Sequence, residues 1–152
     1  MKSRNTSLAN GFTLIEILIL LGLFAILASI GLIMGVDSIG RSTVHNERDT
    51  VVLLLQGARA RALANVHESA QGVRLTPSSI ILYEGASYPG ANARTVERNN
   101  GIVITDSGSN TTFDIIFAQL SGSVGVGAGT VTFSDGAKTS TLDINGEGRL
   151  EW

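Results

Sequence analysis

One acid stands alone in an apolar stretch near the start of this 152-residue chain. Glu16 is the only ionisable side chain between Phe12 and Val36. A carboxylate inside such a helix costs roughly 2.5–3.5 kcal/mol on membrane-insertion scales, so its position asks for a partner. The start of a helix favours an anion through the backbone dipole, which lowers that cost without giving the residue a role. No cation lies in the stretch itself. A cut before Phe12 creates one, the new α-amine, which a neighbouring molecule shifted along the axis would present to Glu16.

Other reactive groups are sparse. The chain has no cysteine, which excludes a disulfide framework, a thiolate metal site and a cysteine nucleophile. His45 and His67 are far apart in sequence and are assigned to the polar face or end of a helix. Two histidines without a supporting cluster do not make a metal site. Asp135, Asp143, Glu147 and Glu151 are oxygen donors of the type calcium uses, but no Asp-x-Asp-x-Asp-Gly loop orders them. Asp135-Gly136 reads as a hairpin turn. The run Gly122-Ser123-Val124-Gly125-Val126-Gly127-Ala128-Gly129 lacks the closing Gly-Lys-Ser/Thr of a phosphate loop and reads as a flexible connection. No Gly-x-Ser-x-Gly occurs, and the C-terminal region has no histidine to act as a base. These residues predict no catalysis, no metal and no cofactor.

The element that positions Glu16 is the apolar run itself. Ile17 to Ala28 has no polar side chain. As a helix, Phe12–Val36 would be roughly 37 Å long at 1.5 Å per residue, enough for a hydrocarbon core of about 30 Å. Lys2 and Arg4 precede it with no acid among the first eleven residues, which keeps the N-terminus inside. A secretory signal has a shorter core of roughly 7–15 residues and a small-x-small site after it, which Gly35–Gly40 matches only loosely. A plain membrane anchor explains the length and flanks but not the acid.

Gly11-Phe12-Thr13-Leu14-Ile15-Glu16, after a short basic leader and before the apolar run, closely resembles the processing signal of type IV pilins and type II secretion pseudopilins. The resemblance implies cleavage between Gly11 and Phe12 by prepilin peptidase and methylation of the new Phe12 amine. It also implies that Glu16 pairs with the amine of an adjacent subunit during assembly. Major pilins commonly carry a proline in this helix, whereas the first proline here is Pro77. Gly22, Gly31 and Gly35 are the helix-weakening residues, and Gly31 and Gly35 form a Gly-x-x-x-Gly pair.

Beyond Val36 the pattern becomes amphipathic. Val44, Val51, Leu54, Leu55, Ala58, Ala62 and Leu63 recur at three- and four-residue spacing among Arg48, Asp49, Gln56, Arg59 and Arg61. Gly35 to Gly40 mark a break before this part, and the helix is expected to run on to about Asn65. From Gln71 onward, Gly72–Leu75, Ser79–Glu84, Gly101–Thr105, Thr112–Ala118, Thr130–Ser134 and Thr139–Asn145 read as strands, with Gly148–Trp152 as a last one. The expected fold is α+β: a long N-terminal helix, with a transmembrane half and an amphipathic half, packed on a C-terminal antiparallel β domain. The expected divisions are a leader (1–11), a transmembrane and assembly half (12–36), an amphipathic half with its connection (37–69) and a β-rich domain (70–152).

Leu55–Ala64 followed by Gly72-Val73-Arg74-Leu75, and the tail from Gly129 to Leu150, look like minor pseudopilins of the GspH/FimT kind. The resemblance implies a structural subunit of a pilus-like or type II secretion filament. Its partners would be prepilin peptidase, other pilin or pseudopilin subunits, an inner-membrane assembly platform and membrane lipid. Its expected location is single-pass in the inner membrane before assembly, then a periplasmic or cell-surface filament. The alternative is a DNA-binding or adhesive minor pilin. The chain carries 11 Lys and Arg against 13 Asp and Glu, a net charge of −2. Its last segment sets Lys138 and Arg149 against Asp135, Asp143, Glu147 and Glu151. DNA binding rests on phosphate neutralisation, so this balance argues against DNA as a partner.

Overall fold

The computed structural model describes residues 13–98 and 101–152, with side chains for all of these except 28–42. Helix α1 spans Leu14–Leu63. It contributes to two compact units, Met1–Ser38 and Ile39–Trp152.

In the first unit, Thr13 caps the start of α1. Its hydroxyl accepts the backbone N–H of Glu16 at 3.3 Å, and its carbonyl accepts the N–H groups of Glu16 and Ile17. Thr13-Leu14-Ile15-Glu16 thus has the Ser/Thr-x-x-Glu order of a capping box, with Glu16 in the first turn. Among the described residues no helix is long and apolar enough to cross a membrane. The described apolar stretch, Leu14–Leu27, is 14 residues. That is about 21 Å of helix against about 30 Å of hydrocarbon core. The expected transmembrane half is therefore corrected, as is the single-pass inner-membrane location that depended on it. The leader and the Gly11/Phe12 junction lie outside the described residues, as do the surroundings of the Gly31/Gly35 pair. The break expected at Gly35–Gly40 is not found, the helix being continuous there.

In the second unit, two antiparallel sheets share a core with α1. The five-stranded sheet has the order β3-β2-β1-β5-β6. Its strands are β1 (Gln71–Leu75), β2 (Ser79–Glu84), β3 (Ala91–Glu97), β5 (Phe113–Phe117) and β6 (Val124–Val126). The four-stranded sheet has the order β4-β7-β8-β9. It is made of β4 (Val103–Thr105), β7 (Gly129–Ser134), β8 (Thr139–Ile144) and β9 (Leu150–Glu151). The helix buries Val44, Val51, Val52, Leu55, Ala58 and Ala62, one stripe at the 3.6-residue period. Val73, Leu75, Ile80, Ile115 and Phe117 come from one sheet, and Ile104, Val131, Phe133, Leu142 and Ile144 from the other.

Two strands differ from the sequence expectation. β3 is exposed at nearly every position, so an edge strand of Ala, Asn, Arg and Thr shows no apolar alternation to reveal it. β6 lies inside the glycine-rich run expected to be a loop. It pairs with β5 through Ile116↔Val126 and Phe117↔Val124 and buries Val124. Strand β8 alternates through its whole length. Ser140 takes a core-facing position there because Arg48 donates to its hydroxyl at 3.1 Å, which satisfies a polar atom the pattern could not place.

Candidate functional site

The first candidate is the start of α1. Leu14, Ile15, Leu18 and Phe24 are 78%, 67%, 59% and 68% exposed, and the large apolar side chains between Leu14 and Leu27 are exposed on every face of the helix. Glu16 is exposed too. Among the described residues its carboxylate has no ion-pair partner. Thr13 and the first-turn backbone therefore hold the acid at the positive end of the helix dipole, facing outward. Gly11 and Phe12, the expected cleavage and methylation residues, lie outside the described residues.

The second candidate lies in the other unit, where α1 ends. Glu84, at the end of β2, keeps only 5% of its side chain exposed. Arg61 donates to its Oε1 at 2.5 Å, and Asn92 donates to Oε2 at 2.6 Å. His67 Nδ1 lies 2.9 Å from Oε1 and 3.0 Å from Oε2. Arg61 also donates from Nε to Gln71 at 3.1 Å. Hydrogen bonds from Asn92, His67 and Arg61 outweigh burial and hold the Glu84 carboxyl below its ordinary range. The cluster ties the helix end, the 3-10 turn Val66–Glu68, β1, β2 and β3 to one buried carboxylate.

That tie has a local cost. Asn65, His67 and Glu68 have φ values of 53°, 51° and 51°, a left-handed conformation unfavourable for L-residues. The chain turns sharply from α1 into β1 here, and the Glu84 bonds hold the turn. His67 is thus a partner of a buried acid while 65% of its side chain stays exposed.

A third cluster crosses the five-stranded sheet. Arg74 forms a two-point pair with Asp114, Nε to Oδ1 at 2.9 Å and Nη2 to Oδ2 at 2.7 Å. The Tyr83 hydroxyl donates to Asp114 Oδ1 at 3.1 Å. The Arg74 guanidinium lies 4.0 Å from the Tyr88 ring centre, and Tyr88 meets Tyr83 edge-on at 5.5 Å. Burial, and then the charge and hydrogen bond of Asp114, raise the Tyr83 phenol well above its ordinary value. A phenol held protonated beside a carboxylate committed to arginine cross-links β1, β2 and β5.

No family model, curated protein or solved structure matches this chain.

Among the described residues no group of three His, Cys, Asp or Glu side chains is placed to hold a metal ion. Two of the four oxygen donors considered for calcium, Asp135 and Asp143, are engaged elsewhere. Asp135 Oδ1 accepts the backbone N–H groups of Ala137 and Lys138 in the β7–β8 turn, which lowers its carboxyl pKa. Asp143 accepts the Thr130 hydroxyl at 2.5 Å. Sequence reasoning did not connect Glu84, Arg61, His67 and Asn92. They are spread over a helix, a turn and two strands, and nothing in their spacing signals that the fold brings them together.

Proposed function

We propose that this chain is a structural subunit of a type IV pilus-like or type II secretion filament, a minor pilin or pseudopilin. Prepilin peptidase cuts it between Gly11 and Phe12, and it assembles with other subunits through the start of α1. The observation that carries this reading is the collar of exposed apolar side chains from Leu14 to Leu27, interrupted by the single carboxylate Glu16. Burying a Leu, Ile or Phe side chain stabilises by about 1.5–3 kcal/mol. Summed over the collar, even half of that is comparable to a typical domain stability of about 5–15 kcal/mol. Such a surface belongs against other subunits.

Glu16 sets the register of that packing. An apolar collar alone slides freely along a neighbour, whereas one buried charge pair selects a single offset. The amine of a neighbour's Phe12 supplies the opposite charge at the matching depth. The GspH/FimT likeness of the helix end and tail supports a minor subunit.

The test is an intact-mass measurement on the full chain produced together with prepilin peptidase. The expected product lacks Met1–Gly11 and carries one added methyl group. An unchanged mass, or cleavage at another bond, overturns the reading.

A further inference from the structure

Gly57 lies within α1, and a Cβ built on it would meet nothing within 4 Å. Glycine weakens a helix relative to alanine, and no close contact in its own unit explains it here. The open space belongs to a cleft of about 310 Å³ between the helix and strands β2 and β3. Leu53, Leu82 and Tyr83 are among its apolar walls, and Arg94 lines it together with Glu84 and its partners Arg61 and Asn92. Leu53 is 68% exposed at the rim of this cleft. Ligand pockets run roughly from 300 to 1,000 Å³, so this cleft suits one large side chain.

The same unit presents such a side chain. Trp152, the only tryptophan of the chain, is 57% exposed. It follows Glu151, which is exposed as well. Among the described residues neither Glu151 nor Arg94 has an ion-pair partner. Aromatic anchors seated in pockets, with charged partners beside them, supply most of the energy of protein interfaces.

We propose that Trp152 of one copy inserts into the Gly57 cleft of a second copy, with Glu151 meeting Arg94 at its edge. Glycine at position 57 leaves the helix backbone bare so that the indole can approach it. The two surfaces lie on different parts of one molecule, so the contact is heterologous and repeats from copy to copy. It thereby adds a contact between β-domains to the filament reading, on which it rests for its purpose. The contact itself needs no cleavage and is read on the unprocessed chain.

The test follows the emission of the single tryptophan in the full chain, kept in mild detergent, as concentration rises. The expected result is a blue shift and protection from acrylamide quenching on association. Gly57→Leu, which fills open space, abolishes both, as does Leu53→Lys at an exposed site where folding is not at risk. Arg94→Glu weakens association at least about tenfold, and adding Glu151→Arg restores it. Trp152→Ala weakens association roughly thirtyfold by sedimentation. Absence of association, association with unchanged emission, or a shift that survives both cleft variants overturns the proposal. Failure of processing leaves these spectra as they are and bears on the filament reading alone.

Discussion

Gly72 of β1 stands directly opposite Tyr83 of β2, and a side chain on Gly72 would enter the Tyr83 ring. The tyrosine covers the glycine, and its hydroxyl reaches across to Asp114. A small residue on one strand thus places a large one so that its polar end finds a partner on another. Gly72→Ala is expected to destabilise the fold by about 1–3 kcal/mol through overpacking. Urea unfolding checks this, and a variant as stable as the parent would show that the ring moves aside freely.

Among the described residues Arg98 and Glu47 form the most enclosed ion pair, with side chains 2% and 11% exposed and a separation of 2.8 Å. Arg98 also donates to the carbonyls of Thr76, Pro77 and Ile102. Removing one member leaves the other buried and unpaired, so Arg98→Ala is expected to cost about 3–5 kcal/mol. Replacing Arg98 and Glu47 together by apolar residues should cost less. A double-mutant cycle in urea measures the difference.

Stability should fall at both ends of the pH scale. The Glu84 carboxyl is held below its ordinary value of 4.5, first by Asn92 and then by His67. A lowered carboxyl contributes stability that is present above the unfolded pKa and lost as pH falls through the folded one. Glu84→Gln should therefore flatten the decline that begins below about pH 4.5. Tyr83 is raised above its ordinary 10.0, so its contribution is complete below pH 10.0 and is lost as pH rises further. Tyr83→Phe should remove that alkaline loss. Thermal melts across pH resolve both limbs.

Gly57→Ala should raise stability by about 1 kcal/mol, because alanine is the better helix former and its Cβ meets open space. A neutral or negative effect in chemical unfolding would mean that the helix there holds a contact only glycine allows.

Glu16→Ala is expected to leave cleavage before Phe12 intact and to reduce incorporation into filaments at least about tenfold. The substitution removes a charge from an exposed first-turn position while Thr13 still caps the helix through the backbone N–H of residue 16. Quantitative blotting of sheared filaments against total protein reads the ratio. Normal incorporation would show that the apolar collar sets the register without the acid.

Much of the second unit was legible in local sequence. The stripe from Val44 to Ala62 and the strands β7 and β8 announce themselves because burial there repeats with the period of the backbone, while β1, β2 and β5 show as short apolar runs between turn residues. Edge strands escape that logic. β3 buries almost nothing and β6 only Val124, so their residues carry no alternation. The membrane-spanning half expected from hydropathy is the main correction.

The sequence by itself determined the local features. These are the Thr13 cap beside Glu16, the apolar collar, the amphipathic stripe and the hairpin at Asp135-Gly136, each depending on residues a few positions apart. Only the tertiary structure decided that Glu84 gathers Arg61, His67 and Asn92, that Tyr83 covers Gly72, and that a cleft opens over Gly57. Those relations join residues far apart in the chain. They arise from how strands register and a helix packs, and short-range chemistry carries no record of that.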